Sequence, residues 1–344
     1  MLKNIRNILF DSANKCIQFI KLATFIFINL YSTNTLADLE IIHFNVGMGD
    51  STLLIDTKTN ESILVDAGNR GKGRSVIYPE LKKLKQLKIN YFIATHYDAD
   101  HIGGFNELIE NGIEFDVVYD RGEFTNRTLK TVRDNETQYG EYVRTSYGKR
   151  KTIDSIKSCK PIVIGETKVW FVASAGKYVK SMNPCTSDFI KIPKRLDNDL
   201  SIGLLIKHKS FQYFIGGDLT GGGKNTKDME GLISTLIGDI DVLKVNHHGS
   251  SSSSNNKFLS SLSPEVVVIS VGNGGVNKSI YHLPTQEVLT RIDNLDTKPS
   301  VYLTNRGEGG SSVNGRVVNG HVVVRTNGLY YWVNNDIYNV DETI

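Results

Sequence analysis

From Asp38 onward the apolar positions fall into short runs separated by turn residues. Residues 39–46 alternate loosely and end in Gly47-Met48-Gly49-Asp50; residues 51–56 and 62–68 follow at short spacing, with Lys58-Thr59-Asn60 between them. This is the pattern of antiparallel strands. Over 75–88 the spacing predicts a helix, with Leu81, Leu84 and Leu87 on one face and lysines elsewhere. Residues 89–95 read as a buried strand that runs straight into the loop His96–Gly104, and a helix starts at 105–111. Residues 115–160 read as a strand followed by a long polar insertion, in which Arg144, Lys149, Arg150 and Lys151 form a solvated basic loop. A strand pair is expected at 161–165 and 168–173, then a second, loop-rich insertion over 175–197. Strands at 200–207 and 211–218, a helix near 227–238, strands at 241–250 and 264–272, a helix at 284–293 and strands at 300–304, 321–326 and 329–333 complete the pattern. Pairs of strands between helices, in both halves and without an internal repeat, indicate an α/β sandwich forming one domain over 38–344.

The first 37 residues break this pattern and read as a secretory signal peptide. Lys3, Arg6, Lys15 and Lys21 precede the apolar run 22–31, and Thr35-Leu36-Ala37 suits cleavage near Ala37. The run is about half the ~20 residues a membrane span needs, so no stable span is expected once the leader is removed. An uncleaved anchor is the alternative. A secreted or periplasmic location follows, and the cysteines agree with it. Cys16 leaves with the leader; Cys159 and Cys185 then form one disulfide or stay as two buried thiols, and export favours the pair.

Composition narrows the class further. Of the 344 residues, 40% are apolar and 22% charged, which excludes disorder and coiled coil. The net charge is +3; without the leader's four basic residues and Asp11, 36 basic residues face 36 acidic ones. That excludes a wholesale nucleic-acid-binding surface but not a local basic groove.

The chemistry concentrates in His96-Tyr97-Asp98-Ala99-Asp100-His101, two imidazoles and two carboxylates on a loop directly after a buried strand. Nitrogen and carboxylate donors suit zinc, manganese or iron. Asp66, Asp218 and the pair His247-His248 each end another apolar strand. An acid or histidine at the end of a buried strand needs a partner, and four such segments together point to one or two divalent metal ions bridged by a carboxylate.

The order Asp66, HxDxDH, Gly-Gly-Asp, His-His-Gly-Ser resembles the metallo-β-lactamase fold superfamily of metallohydrolases. More closely it is similar to the metallo-β-lactamase domain of ComEC-type competence channels and to the phosphorylcholine esterases. The motifs that carry the likeness are residues 45–51, 64–68, 96–104, 198–206, 215–219, 243–253, 269–273, 281–284 and 301–305. The resemblance implies an αββα sandwich of two mixed sheets flanked by helices, with the metals at strand ends. It assigns His96 and Asp98 to the first ion and Asp100 and His101 to the second, and makes His248 the metal ligand of the His-His pair. Asp218 is implied to bridge both ions and Asp66 to orient a histidine. His247, His282 and Lys244 are implied to contact phosphate or the leaving group, Asp218 or Asp100 to orient the attacking water, and Ser250 to donate a hydroxyl. Ser252–Ser254 read as linker or helix cap, and His43 and His321 as structural. One departure stands out: the separate histidine expected before the Gly-Gly-Asp strand is missing. His208, between His101 and Asp218, is in the wrong place, so Asn198 or Asp199 is left to substitute. The first site is then expected to be weak, oxygen-rich and manganese-preferring, or empty.

These residues imply an exported hydrolase of phosphodiester bonds, with DNA, RNA or a phosphodiester headgroup as substrate. The alternatives are a hydrolase of another ester or amide, and a non-catalytic metal-binding module of the same fold.

Overall fold

The structure, a computed structural model, describes residues 37–122, 137–153, 159–192, 197–272, 282–309 and 315–341. Of the leader expected over 1–37, all but Ala37 lies outside the described residues, as do parts of both expected insertions. Two mixed sheets stack face to face. The first contains β1 (Leu39–His43), β2 (Thr52–Asp56), β3 (Ser62–Val65), β4 (Lys88–Ile93), β5 (Glu114–Asp120), β6 (Arg150–Thr152), β17 (Val322–Thr326), β18 (Tyr330–Val333) and β19 (Asp336–Asn339), in the order β19-β18-β17-β1-β2-β3-β4-β5-β6. The second contains β7 (Ile162–Ile164), β8 (Thr167–Ser174), β9 (Lys177–Met182), β10 (Cys185–Phe189), β11 (Gly203–His208), β12 (Phe211–Ile215), β13 (Val242–Lys244), β14 (Val266–Ile269), β15 (Ser300–Leu303) and β16 (Arg316–Val317). Its order is β10-β9-β8-β11-β12-β13-β14-β15-β16, with β7 on β8.

Alternation along each strand builds the layers. Phe211, Tyr213 and Ile215 of β12 face the first sheet, in a core shared with Leu39, Ile41, Ile63 and Ile93. Phe214 of the same strand faces outward, against Met229, Ile233 and Phe258 of the helices Met229–Ile237 and Asn256–Leu262. On the far face of the first sheet, Leu64 and Phe92 pack on Leu81, Phe105 and Tyr142 from three further helices. The result is helix, sheet, sheet, helix: the expected αββα sandwich.

Each sheet changes from antiparallel to parallel partway across. β3 pairs β4 in parallel, and β12 pairs β13 in parallel. Loops leaving the carboxyl ends of parallel strands therefore emerge on one edge, where open α/β sheets place their ligands. β2 and β11 run antiparallel to β3 and β12, so their starts lie on the same edge: Thr52 pairs Val65 and Leu204 pairs Ile215.

Several expectations are corrected. The helix read over 75–88 spans Tyr78–Lys83, preceded by a wider turn at Gly73–Ile77; Leu87 lies past its end and is exposed. Residues 175–197 are not loop-rich, because β9 and β10 form a hairpin there. The basic loop is not simply solvated. Arg150 starts β6 and its guanidinium pairs with buried Asp120, which also accepts a hydrogen bond from Tyr142 Oη at 3.1 Å. The helix Asn256–Leu262, capped by Asn255, escaped the sequence reading. Cys159 and Cys185 are joined in a disulfide, their Cα atoms 5.7 Å apart.

Candidate metal centre

The centre is assembled around Asp218. In the Gly216-Gly217-Asp218 turn after β12, Gly217 has φ +54°, and a Cβ on it would stand 2.5 Å from Thr95 Oγ1. Only glycine allows both the left-handed turn and this close approach. Asp218 is thereby brought against the loop from β4, with its two oxygens facing different donors. Oδ1 lies 3.2 Å from His101 Nε2 and 3.6 Å from His248 Nε2. Oδ2 lies 3.7 Å from His96 Nε2, 3.6 Å from His247 Nε2 and 3.5 Å from Asn198 Nδ2. Asp98 Oδ2 stands 3.7 Å from His96 Nε2, and Asp100 Oδ2 3.4 Å from His248 Nε2.

Each inward nitrogen is aimed from behind. Asp66, after β3, accepts from Thr95 N at 2.8 Å and from Thr95 Oγ1 at 2.7 Å, and its Oδ2 stands 2.8 Å from His101 Nδ1. His248 Nδ1 pairs with the Ser270 carbonyl at 2.9 Å, and His96 Nδ1 with Thr95 Oγ1 at 3.1 Å. Such outer partners fix the ring so that Nε2 faces a metal.

The donors fit a divalent cation. His96 Nε2, His101 Nε2, His248 Nε2, Asp218 Oδ1 and Asp50 Oδ1 are all buried without a hydrogen-bond partner among the described residues. Orphaned polar atoms gathered around one carboxylate in this way call for a bound cation. The ligand atoms of Asp50, His101, Asp218 and His248 lie within 4.8 Å of one another. The electrostatics agree. Burial works against charge on His101, yet Asp218, Asp66 and Asp100 outweigh it and hold the ring well above its usual pKa. Burial opposes charge on His248 too, yet Asp218 and Asp50 lift it to about 9. Burial would raise Asp218, but the surrounding imidazoles, led by His101, hold it well below the carboxylate range. The cluster is a strong trap for positive charge.

Asp50 escaped the sequence reading. Its signal was present: an acid after Gly47-Met48-Gly49, directly before a buried strand. Lys244 is corrected. It is 1% exposed and its ammonium pairs with Asp50, so it has no free charge for a phosphate. Asp199 is corrected as a substitute ligand. It turns away, accepting from Thr220 Oγ1 and Lys227 N, each at 2.8 Å. Asn198 does reach the centre. Ser250 bonds Ser252 Oγ at 3.1 Å, and it is Ser252 that contacts His247 Nδ1, at 3.0 Å. The run Ser250–Ser254 is buried rather than a flexible linker. His282 is exposed, its Nδ1 3.5 Å from Glu308. His43 bonds Thr52 and Tyr213, and His321 Nδ1 accepts from Asn45 N, as structural histidines do.

Glu230, also missed, closes the histidine loop onto a helix. Fully buried, it accepts from Asn246 Nδ2 and Ser254 N at 2.7 Å and from Asn255 N at 3.0 Å. Burial outweighs these donors and lifts it from 4.5 to about 7. The folded state therefore holds the proton more tightly than the unfolded chain. The corresponding stability is fully present below about pH 4.5 and is lost as pH rises through about 7, on the order of 3 kcal/mol in all. Urea unfolding of native protein and Glu230→Gln at about pH 5 and about pH 8 measures this. The native protein is expected to lose its share across that interval and the variant not to. A difference between the two that is independent of pH would contradict it.

Residues 45–114 match the profile of the metallo-beta-lactamase superfamily. Recombination protein 2 of Haemophilus influenzae is 26% identical over 237 residues, covering 68% of this chain and 24% of the relative. ComE operon protein 3 of Bacillus subtilis is 26% identical over 269 residues, covering 73% and 30%. The chain thus spans about a quarter to a third of the length of these relatives. Among solved structures, CmlA, a diiron beta-hydroxylase from Streptomyces venezuelae, aligns with a TM-score of 0.46 at 15% identity, covering 83% of this chain and 54% of that one. The αββα layers, the matched segment and the His/Asp centre at the strand ends together show a metallo-β-lactamase fold, and the chain is similar to competence proteins of the ComEC type.

Proposed function

We propose that this chain is an exported metal-dependent hydrolase that cleaves phosphodiester bonds. The observation that carries the reading is the division of Asp218: one carboxylate oxygen faces His101 and His248, the other His96 and His247. A carboxylate shared in this way suits two divalent ions, zinc or manganese. Bound there, they would supply an activated water and positive charge against phosphate oxygens.

The chain's own residues do the rest. Asp218 holds both halves in register, while Asp66 and the Ser270 carbonyl keep His101 and His248 from rotating away. Asp98 and Asp100 are the more exposed acids of the loop, at 49% and 24%, and line the approach. Burial opposes charge on Asp100, yet His101 and His248 outweigh it and hold the carboxylate far below its usual pKa. So placed, it would be able to accept a hydrogen bond from a metal-activated water and orient it, and would be a poor store for its proton. Behind them, Tyr97 is buried under the Arg121 guanidinium, 4.3 Å from the ring, and Arg121 pairs with Asp197. Asp197 Oδ2 accepts from Tyr97 N at 3.2 Å, so the loop before β11 is tied to the loop after β4.

A phosphodiester spreads negative charge over oxygens that such a centre can clamp, whereas a lactam leaves much of that charge unused. The names of the relatives, a recombination protein and competence proteins, favour nucleic acid among phosphodiesters. The disulfide supports an oxidising compartment outside the cytoplasm. Among the described residues no helix is long and apolar enough to cross a membrane. The test offers bis-p-nitrophenyl phosphate, linear DNA and a chromogenic lactam to protein loaded with manganese or zinc. Phosphodiester cleavage with little lactam turnover is expected. Lactam turnover alone, under either metal, would reverse the assignment.

A further inference from the structure

Lys244 is neutralised by Asp50, so a cation that meets substrate phosphate has to come from elsewhere on the edge that carries the centre. Two candidates there are already engaged: Arg70 pairs with Glu141 and Arg121 with Asp197. Lys72 and Arg306 differ from them. Neither side chain makes an ion pair or a hydrogen bond among the described residues.

Lys72 is held in place by its backbone. It lies in the turn after Asp66, where its N donates to Asn69 O at 2.9 Å and Gly104 N donates to Gly68 O at 3.0 Å. Asn69 Nδ2 donates to Met48 O at 3.1 Å. The turn is thus pinned to the loop that carries Asp50 and to the loop that carries His96 and His101. The half-buried side chain runs across two glycines. A Cβ on Gly68 would stand 3.2 Å from Lys72 Cβ, and one on Gly47 3.7 Å from Lys72 Nζ. The ammonium therefore lies over Gly47, and no more than about 11 Å of chain separates Gly47 from Asp50.

At Gly47 the loops of the two sheets meet. A Cβ on Gly272, after β14, would stand 2.2 Å from the Gly47 carbonyl carbon. One on Gly307, after β15, would stand 2.9 Å from Val271 Cγ2. The three loops pack against one another into a continuous rim beside the centre. Lys72 stands at one end of it and exposed Arg306 at the other. The acid next to Arg306, Glu308, lies 3.5 Å from His282 Nδ1. A nucleic acid strand repeats its charge along the backbone, whereas a small phosphodiester carries one charge. Two unpaired cations along a rim suit the strand.

We infer that Lys72, with Arg306, binds the backbone phosphates of a nucleic acid strand on either side of the one at the centre, and so favours polynucleotide over small phosphodiesters. This rests on the hydrolase reading above and narrows its substrate class. Contacts of this kind are independent of base sequence and are screened by salt.

The probes are fluorescent phosphorothioate oligonucleotides, DNA and RNA, which resist cleavage. Their binding to manganese-loaded protein is followed by anisotropy across a salt series. Native protein is compared with Lys72→Met, Lys72→Arg, Arg306→Met and, as an exposed lysine elsewhere, Lys82→Met. Lys72→Met and Arg306→Met should each weaken binding about tenfold at low salt. Each should also flatten the slope of log affinity against log salt by about 0.7–0.9, a change that a merely structural lysine would not produce. Lys72→Arg and Lys82→Met should keep the native slope, and the strand bound more tightly names the substrate. In turnover, Lys72→Met should lower kcat/KM further for an ordinary oligonucleotide than for bis-p-nitrophenyl phosphate. If Lys72→Met keeps the native salt slope, or native protein binds neither strand, the inference is overturned. Binding with the expected slopes but no cleavage of any phosphodiester would defeat the proposed function and leave the rim standing.

Discussion

Asp218→Ala is expected to lower kcat on a phosphodiester at least ~10³-fold, about 4 kcal/mol of barrier, while the chain stays folded. The reason is geometric. Asp218 is the group whose two oxygens face both donor sets, so in the two-ion reading its loss would take a ligand from each ion. Asp100→Ala removes one acid from one side, where Asp50 remains, and should cost less. Bound metal and kcat are measured together. Asp218→Ala should lose most of its metal, whereas Asp100→Ala should keep one ion tightly. Near-native turnover in Asp218→Ala, with Asp100→Ala inactive, would show that the bridge is elsewhere.

Lys244→Met is expected to destabilise the metal-free protein by about 3–5 kcal/mol, the usual consequence of leaving one partner of a buried ion pair uncompensated. Lys244 and Asp50 are 1% and 3% exposed, and no solvent reaches Asp50 to replace the ammonium. The double variant Lys244→Met with Asp50→Leu removes both charges and should recover most of the loss, a coupling that a double-mutant cycle reads directly. Urea unfolding in chelator is the measurement, since a bound cation would shield Asp50. If Lys244→Met unfolds at the native urea concentration yet raises KM, then Lys244 serves the substrate after all and the buried pair is of little consequence.

The two predictions differ in how far the sequence could have led to them. Asp218 was legible because a carboxylate at the end of an apolar run has few reasons to be there. The pattern around it, HxDxDH and His-His-Gly-Ser at other strand ends, narrowed those reasons to metal. Lys244 carried a misleading signal. A lysine three residues before the His247-His248 pair looks like a substrate contact, but strand alternation turns it into the interior, and its partner Asp50 is 194 positions away. The hairpin of β9 and β10 was hidden for a related reason. Its residues are largely polar and half-exposed, so neither periodicity nor apolar content marks it. The disulfide between Cys159 and Cys185 ties its edge, and only their proximity in space could settle the pairing.

By itself the amino-acid sequence determined the class of the fold and the kind of chemistry. Both are written in local terms: short apolar runs of strand period, glycines where a strand must turn sharply, and acids and histidines placed at the ends of those runs. The tertiary structure decided how those groups are shared. That Asp218 divides its oxygens between two sets of imidazoles follows from two parallel strand pairs, β3 with β4 and β12 with β13, opening onto one edge of stacked sheets. That Asp50 joins the centre and Lys244 neutralises it depends on contacts between opposite sheets. That His247 and His248 face opposite sides of one carboxylate depends on two left-handed residues imposed by the surrounding loop. Each is a long-range or strained arrangement whose stabilising partners are far apart in the chain, so residue spacing alone could not show how the groups are shared.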